Sequence, residues 1–109
     1  MSRPKLKPGV VHGQDYLDLL AWCKSEGFAL PAVNVTSSST INAVLEAAAK
    51  AKSDVIVQLS SGGSQFYAGK GLSDKNTAMT LGAVSAARHV QAMAQAYGCL
   101  LYTSDAADD

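Results

Sequence analysis

The stretch INAVLEAAAKAKSDVIVQLSSGG, residues 41–63, decides the fold. Its first half predicts an amphipathic helix, because apolar residues recur at helical spacing: they are Ile41, Val44, Leu45, Ala48 and Ala49. Its second half contains DVIVQLS, residues 54–60, a β-branched run without alternation that is typical of a strand buried on both faces. A helix that leads directly into such a strand predicts an α/β protein with parallel strands.

The flanking segments extend this pattern in both directions. GQDYLDLLAWCKSEG at 13–27 predicts a helix that ends at Gly27. FALPAVNV at 28–35 predicts a short strand, although Pro31 is disfavoured in a central strand because it has no N–H to donate. SGGSQFYAGKGLSDK at 61–75 predicts a glycine-rich connection with one helical turn at its centre. The order helix, strand, helix, strand, loop, long helix indicates right-handed crossovers between parallel strands.

The long helix that follows is predicted to begin at an N-cap, Asp74. We expect one continuous apolar stripe along it to face the core; its members are Met79, Ala83, Ala86, Val90, Met93 and Tyr97. His89 lies at the edge of that stripe and is predicted to be a boundary residue rather than a metal ligand.

Composition limits the class of protein. A chain of 109 residues is at most one domain, and 48% apolar with 17% charged residues fits a soluble globular chain. It has no apolar run long enough to span a membrane and no secretory signal, so we expect a cytoplasmic protein with free thiols at Cys23 and Cys99, Cys23 being packed. It has no basic stripe with interleaved aromatics, which argues against nucleic acid as a partner. Arg3, Lys5 and Lys7 are expected to be solvated.

The strand ends are the positions at which α/β proteins place their chemistry. They carry Asn34 at the end of the first predicted strand and Ser60, Ser61, Gly62 and Gly63 at the end of the second. Hydroxyls followed by a glycine pair can gather backbone N–H groups around a phosphate, although an ordinary flexible turn is slightly favoured by spacing alone.

Other motifs fail on their spacing. AGKG at 68–71 is not a phosphate-binding P-loop, because Ser64 stands where a glycine is needed and Gly71 where Ser or Thr is needed. The candidate metal ligands His12, Cys23, His89 and Cys99 include no short-spaced pair. A Ser/His/Asp catalytic triad is left as an alternative, but the sequence contains no nucleophile-elbow motif.

Four blocks of the sequence resemble the amino-terminal part of a class II, zinc-dependent fructose-bisphosphate aldolase. They are KPGVVHGQD (7–15), FALPAVNV (28–35), INAVLEAAAKAKSDVIVQLSSGGSQFYAGKG (41–71) and GAVSAARHVQAMAQAYG (82–98). The resemblance implies an incomplete (β/α)₈ TIM barrel, formed by an N-terminal helix and the first two β/α units. It also implies a homodimeric parent that reversibly cleaves fructose 1,6-bisphosphate in glycolysis and gluconeogenesis. A tagatose-bisphosphate aldolase fragment and a non-enzymatic phosphate-binding α/β module are the alternatives.

The resemblance assigns few site residues. Ser60 matches the family's serine that contacts the triose substrate, Asn34 matches the asparagine at the mouth of the active site, and Ser61 fits the same loop less specifically. The family's zinc stabilises an enediolate, and its first histidine ligand and catalytic aspartate belong to a His-x-Asp-His motif on the third strand. That motif is missing here. We therefore expect neither a catalytic residue nor a metal ligand, and no aldolase activity from the chain as written.

The sequence after Gly98 departs from the family pattern. CLLYTSDAAD, residues 99–108, resembles the in-frame translation of a widely used transposase-type sequencing adaptor. We therefore expect two segments, 1–98 as the aldolase part and 99–109 as a non-native tail. CLLYT still suits a third strand, since apolar β-formers fit that slot whatever their origin.

Overall fold

The computed structural model describes residues 2–98 and the backbone of residues 100–105. Its elements in chain order are β1 Gly9–Val10, α1 Gly13–Glu26, β2 Ala32–Asn34, α2 Ser38–Ala51, β3 Val55–Leu59, α3 Ser61–Ala68, α4 Lys75–Tyr97 and β4 Leu100–Asp105. The strands form one sheet in the order β1-β4-β3-β2, and every neighbouring pair is parallel. The predicted α/β fold with parallel strands is confirmed.

The helix ends follow the local sequence. Ser37 caps α2 through a capping box with Thr40, and α1 ends at Gly27 in the left-handed conformation with φ of 77°. Asp74 is the N-cap of α4, as predicted, and its carboxylate accepts a hydrogen bond from the Thr77 hydroxyl at 2.6 Å. α1, α2 and α4 therefore occupy the segments that periodicity indicates.

The core lies between the sheet and the helices α2 and α4. Val55, Val57 and Leu59 of β3 are buried, whereas Ile56 and Gln58 on its other face are half-buried. This alternation differs from the predicted burial on both faces, because only one face of β3 packs into the α2–α4 cluster. β2 is exposed along its whole length. Pro31 precedes β2, and its carbonyl accepts the Ile56 N–H at 2.8 Å.

The glycine-rich connection is the main correction to the sequence prediction. Residues 61–68 form α3, a two-turn helix that begins directly after β3. α3 packs closely on α4, because Gly82 has no side chain: a Cβ there would overlap the carbonyl oxygen of Ser64 and lie 2.7 Å from its carbonyl carbon. Tertiary contact thus stabilises a helix where local propensity favours a loop.

The buried face of α4 is also different from the predicted stripe. Its buried residues are Ala78, Gly82, Ala86, Val90 and Ala94. Ala86 and Val90 agree with the prediction, and the larger residues Met93 and Tyr97 pack against the core cluster as expected, although they are only half-buried. Small residues hold the centre of the face because they let neighbouring elements approach the helix closely. His89 is half-buried, as expected of a boundary residue, and its Nε2 lies 2.8 Å from Asn42 Oδ1.

The amino-terminal segment is more ordered than the sequence suggests. β1 was not predicted, and it pairs with β4 at the edge of the sheet. Arg3 is not simply solvated: its guanidinium donates to both carboxylate oxygens of the buried Asp54, at 2.8 and 3.0 Å. Cys23 is buried as predicted, whereas Cys99 lies outside the described residues.

The predicted third strand is present. β4 pairs with β3 over five residue pairs, from Val55 with Leu101 to Leu59 with Asp105. Among the helices of the described part of the chain, none is long and apolar enough to cross a membrane.

Candidate functional site

The carboxyl ends of β2 and β3 lie side by side. Asn34 is in register with Gln58, and the N–H of Val35 donates to the carbonyl oxygen of Gln58 at 2.9 Å. Residues paired in this way project to the same face of a sheet. Ser60 follows β3 one residue after Leu59, so Asn34 and Ser60 lie at the same edge of the sheet and both are exposed.

Ser60 is the N-cap of α3. Its Oγ accepts the N–H of Gly63 at 3.0 Å, and its carbonyl oxygen accepts the N–H of Ser64 at 2.9 Å. Ser61 is the first residue of the helix and is half-buried. The amino end of α3, with its partial positive charge, therefore faces the carboxyl edge of the sheet, where an anion is favoured.

Gly63 allows the two strand ends to approach each other. A Cβ at Gly63 would lie 3.1 Å from the Val35 carbonyl oxygen and 3.3 Å from Ser60 Oγ. The methyl group of Thr36, in the β2–α2 turn, lies 3.7 Å from the same point. Since a side chain would crowd the Val35 carbonyl oxygen and Ser60 Oγ, glycine at position 63 permits the close spacing between the end of β2 and the start of α3.

Gln58 is a further candidate at this site that the sequence alone does not indicate. It is half-buried and lies on the same face of the sheet as Asn34, two residues before the exposed Ser60 at the carboxyl end of β3. The available signal was a single polar residue within the apolar run VIVQL, and that signal becomes informative only when the register with Asn34 is known.

The described residues do not assemble a metal site. His12 is exposed at the start of α1, and His89 is hydrogen-bonded to Asn42. Burial, with a further contribution from the Asp54 carboxylate, raises the pKa of the Cys23 thiol, which disfavours the thiolate that metals bind. Within residues 2–98 and 100–105 no group of three or more His, Cys, Asp or Glu side chains is placed to hold an ion.

Comparison with known proteins decides the family. A sequence model of the family Fructose-bisphosphate aldolase class-II matches residues 14–103, most of the chain. The chain belongs to the class II fructose-bisphosphate aldolase family. The resemblance drawn from the four sequence blocks is thereby confirmed.

Relatives of this class II aldolase chain are found in several organisms. It is 48% identical over 104 residues to the fructose-bisphosphate aldolase of Campylobacter jejuni, a match that covers 94% of the chain and 28% of that protein. It is 50% identical over 95 residues to the class 2 fructose-bisphosphate aldolase of Escherichia coli K12, covering 85% of the chain and 26% of that protein.

The fold agrees with the sequence comparison. A crystal structure of fructose-bisphosphate aldolase from Campylobacter jejuni superimposes with a TM-score of 0.86 at 46% identity, covering 92% of the chain and 28% of the crystallised one. The chain thus spans between a quarter and a third of the length of these relatives.

Proposed function

We propose that residues 1–98 are the amino-terminal part of a (β/α)₈ aldolase barrel, comprising the helix α1 and the first two β/α units. The parent enzyme reversibly cleaves fructose 1,6-bisphosphate to dihydroxyacetone phosphate and glyceraldehyde 3-phosphate in the cytoplasm, as a homodimer. The observation that carries this proposal is the position of Ser60, at the carboxyl end of a parallel strand and at the amino end of α3. Barrel enzymes build their active sites at this face.

Ser60 is assigned to phosphate binding on chemical grounds. Its hydrogen bond with Gly63 uses a lone pair of Oγ, so the O–H proton can be donated to a phosphate oxygen of the substrate. The dipole of α3 attracts the same negative charge. Ser61, at the first helical position, extends this contact along the phosphate.

Asn34 is assigned to the carbon chain of the substrate. Its amide both donates and accepts hydrogen bonds, which suits a sugar hydroxyl, and it is exposed beside Gln58. The fructose-bisphosphate names of the curated relatives favour this substrate over tagatose 1,6-bisphosphate. They likewise favour an enzyme over a non-catalytic phosphate-binding module.

Zinc is the metal that the family uses, but the described residues do not fit it, because they contain no ligand set. We therefore assign substrate binding and orientation to this part of the chain and no catalytic step. Residues 99–109 are proposed to be a non-native segment, in which case the chain as written has no aldolase activity.

A chimaeric enzyme tests the role of Ser60. Residues 1–98 would replace the matching segment of the Escherichia coli enzyme, and cleavage of fructose 1,6-bisphosphate would be followed for Ser60→Ala. Loss of one hydrogen bond to a charged group, about 1.5–3 kcal/mol, predicts a fall in kcat/KM of roughly ten- to 100-fold.

The matched control is Ser85→Ala, which removes an exposed hydroxyl from α4. It is expected to leave the kinetics of the chimaera unchanged. An active chimaera whose kcat/KM is the same with serine or alanine at position 60 would refute the assignment. A chimaera that cleaves a different sugar phosphate instead would refute the proposed substrate.

A further inference from the structure

A cavity of about 380 Å³ lies beside α3 and the start of α4, apart from Asn34 and Ser60. Its side-chain walls are Gln65, Phe66, Lys70, Leu72, Ser73 and Lys75, with glycines 62 and 69 and Ala78 completing the lining. Its volume lies within the range of pockets that hold small organic ligands.

The cavity has a positive character. Lys70 and Lys75 both line it, and its lining includes no acidic side chain among the residues that the structure describes. Asp74 is adjacent to Lys75 in sequence, and its carboxylate accepts from the Thr77 hydroxyl and the Asn76 N–H at the N-cap of α4. Its single negative charge leaves the two lysines with a net positive charge. Within the described part of the chain, the ion pair is that of Arg3 with Asp54, and neither lysine of the cavity takes part in one.

The other wall is apolar and unusually accessible. Phe66 is 63% exposed and Leu72 is 41% exposed, although both are large hydrophobic residues. The ring contact among the described residues is between Trp22 and Phe28, so no described ring covers Phe66. A flat apolar group stacked on Phe66 would remove this surface from water.

From this combination we infer that the cavity binds a nucleoside phosphate. The base stacks on Phe66 against Leu72, and the phosphates lie between Lys70 and Lys75. The amide of Gln65 can donate to and accept from the base edge. A sugar bisphosphate has no flat apolar part, so the ligand of this cavity differs from that of the strand-end site, which comprises Asn34, Gln58, Ser60 and Ser61. The inference therefore does not depend on the proposed aldolase activity.

Calorimetric titration of the 109-residue chain with two probes, ADP and inorganic pyrophosphate, tests the inference. ADP is expected to bind about tenfold more tightly than pyrophosphate, because only ADP offers a base for stacking. Phe66→Ala and Phe66→Leu are both expected to abolish that difference. Since Phe66 is mostly exposed, neither change opens a void in the core. Lys70→Gln and Lys75→Gln are expected to weaken both probes several-fold.

A control substitution shows whether binding is specific to this cavity. Lys24→Gln removes an exposed charge on α1 and should leave both affinities unchanged. Absence of ADP binding, or equal binding of ADP and pyrophosphate to the unaltered chain, would overturn the inference. So would an ADP affinity that Lys24→Gln lowers as much as Lys70→Gln does, since binding would then follow net charge alone.

Discussion

The hydroxyl of Ser64 is fully buried and has no hydrogen-bond partner among the described residues. A buried polar group without a partner costs roughly 1–3 kcal/mol, so Ser64→Ala is expected to stabilise the chain by about 1 kcal/mol. The measurement is the midpoint of urea unfolding. Ser85→Ala, on the exposed side of α4, controls for the higher helix propensity of alanine. A gain no larger than that of the control, or a loss, would contradict the burial argument.

Asp74 connects stability to pH. Hydrogen bonds from the Thr77 hydroxyl and then from the Asn76 N–H hold the pKa of its carboxyl below the ordinary value. A lowered folded-state pKa contributes stability above the unfolded-state pKa, and that contribution is lost as pH falls through the folded-state value. Asp74→Asn keeps a good N-cap without the charge.

Thermal melts of the chain and of Asp74→Asn between neutral and strongly acidic pH measure this contribution. We expect the aspartate chain to lose more stability than the variant on acidification, and Asp74→Ala to be less stable than the chain at neutral pH. Parallel melting curves for the chain and Asp74→Asn at every pH would show that the carboxylate contributes nothing at the cap.

Single residues were predictable where the cause is local. Asp74 lies directly before an apolar helical stripe, and Cys23 falls on the apolar face of α1, so both were predicted correctly. Arg3 and Asp54 are 51 positions apart, and no local pattern connects them. Their ion pair depends on the fold that brings the amino terminus to the start of β3.

At the scale of elements, the contact between α3 and α4 depends on one glycine. Gly82→Ala would drive a methyl group into the backbone of Ser64, which only a shift of one helix can relieve. We expect destabilisation of about 3 kcal/mol, at the upper end of overpacking effects. Gly62→Ala is the matched control, because it adds the same methyl group to α3 where nothing lies within 4 Å.

Urea unfolding of both glycine variants makes the comparison direct. Gly62→Ala should be neutral or slightly stabilising, since alanine favours a helix over glycine. Equal unfolding midpoints for the two variants would mean that α3 and α4 do not approach as closely as the structure shows.

The same contact explains why periodicity predicted α4 but missed α3. α4 is long enough for its apolar residues to repeat at helical spacing over several turns. α3 is short and carries two glycines among its first three residues, so its sequence favours a loop. The predicted stripe of α4 shares Ala86 and Val90 with the buried face, but it omits the small residues at positions 78, 82 and 94 that close packing requires. The spacing of apolar residues in a sequence indicates which face of a helix is buried, but it does not indicate how closely two helices approach each other.

At the scale of the whole molecule, β2 forms an exposed edge of the sheet. An apolar groove of about 450 Å³ runs beside it between β2 and α2, and its lining includes Pro31, Val33, Val44 and Ala47. Exposed strand edges next to apolar surface promote association of chains. The 109-residue chain is therefore expected to self-associate as its concentration rises.

Sedimentation velocity over a range of concentrations measures that association. Val33→Lys places a charge on the β2 edge and should shift the distribution toward the monomer, whereas Thr80→Lys, on an exposed position of α4, should not. A chain that stays monomeric at all concentrations and melts cooperatively would instead be a self-sufficient small domain.

The candidate site was predictable to the same extent as the strands that support it. Parallel strands place their carboxyl ends at one edge, so Asn34 and Ser60 could be grouped from sequence. The cap that Ser60 provides to α3 and the register that brings Gln58 beside Asn34 required the three-dimensional structure.

We propose that residues 1–98 are the opening of a longer class II aldolase barrel, whose metal-binding strand begins after Gly98. The most direct test is to amplify the source DNA across codon 98 and sequence through it. We predict that the reading frame continues into a third strand that carries a His-x-Asp-His motif. A genomic frame that encodes CLLYTSDAADD and then stops would contradict the claim, because the organism would then make the strand-end site without the strand that completes it.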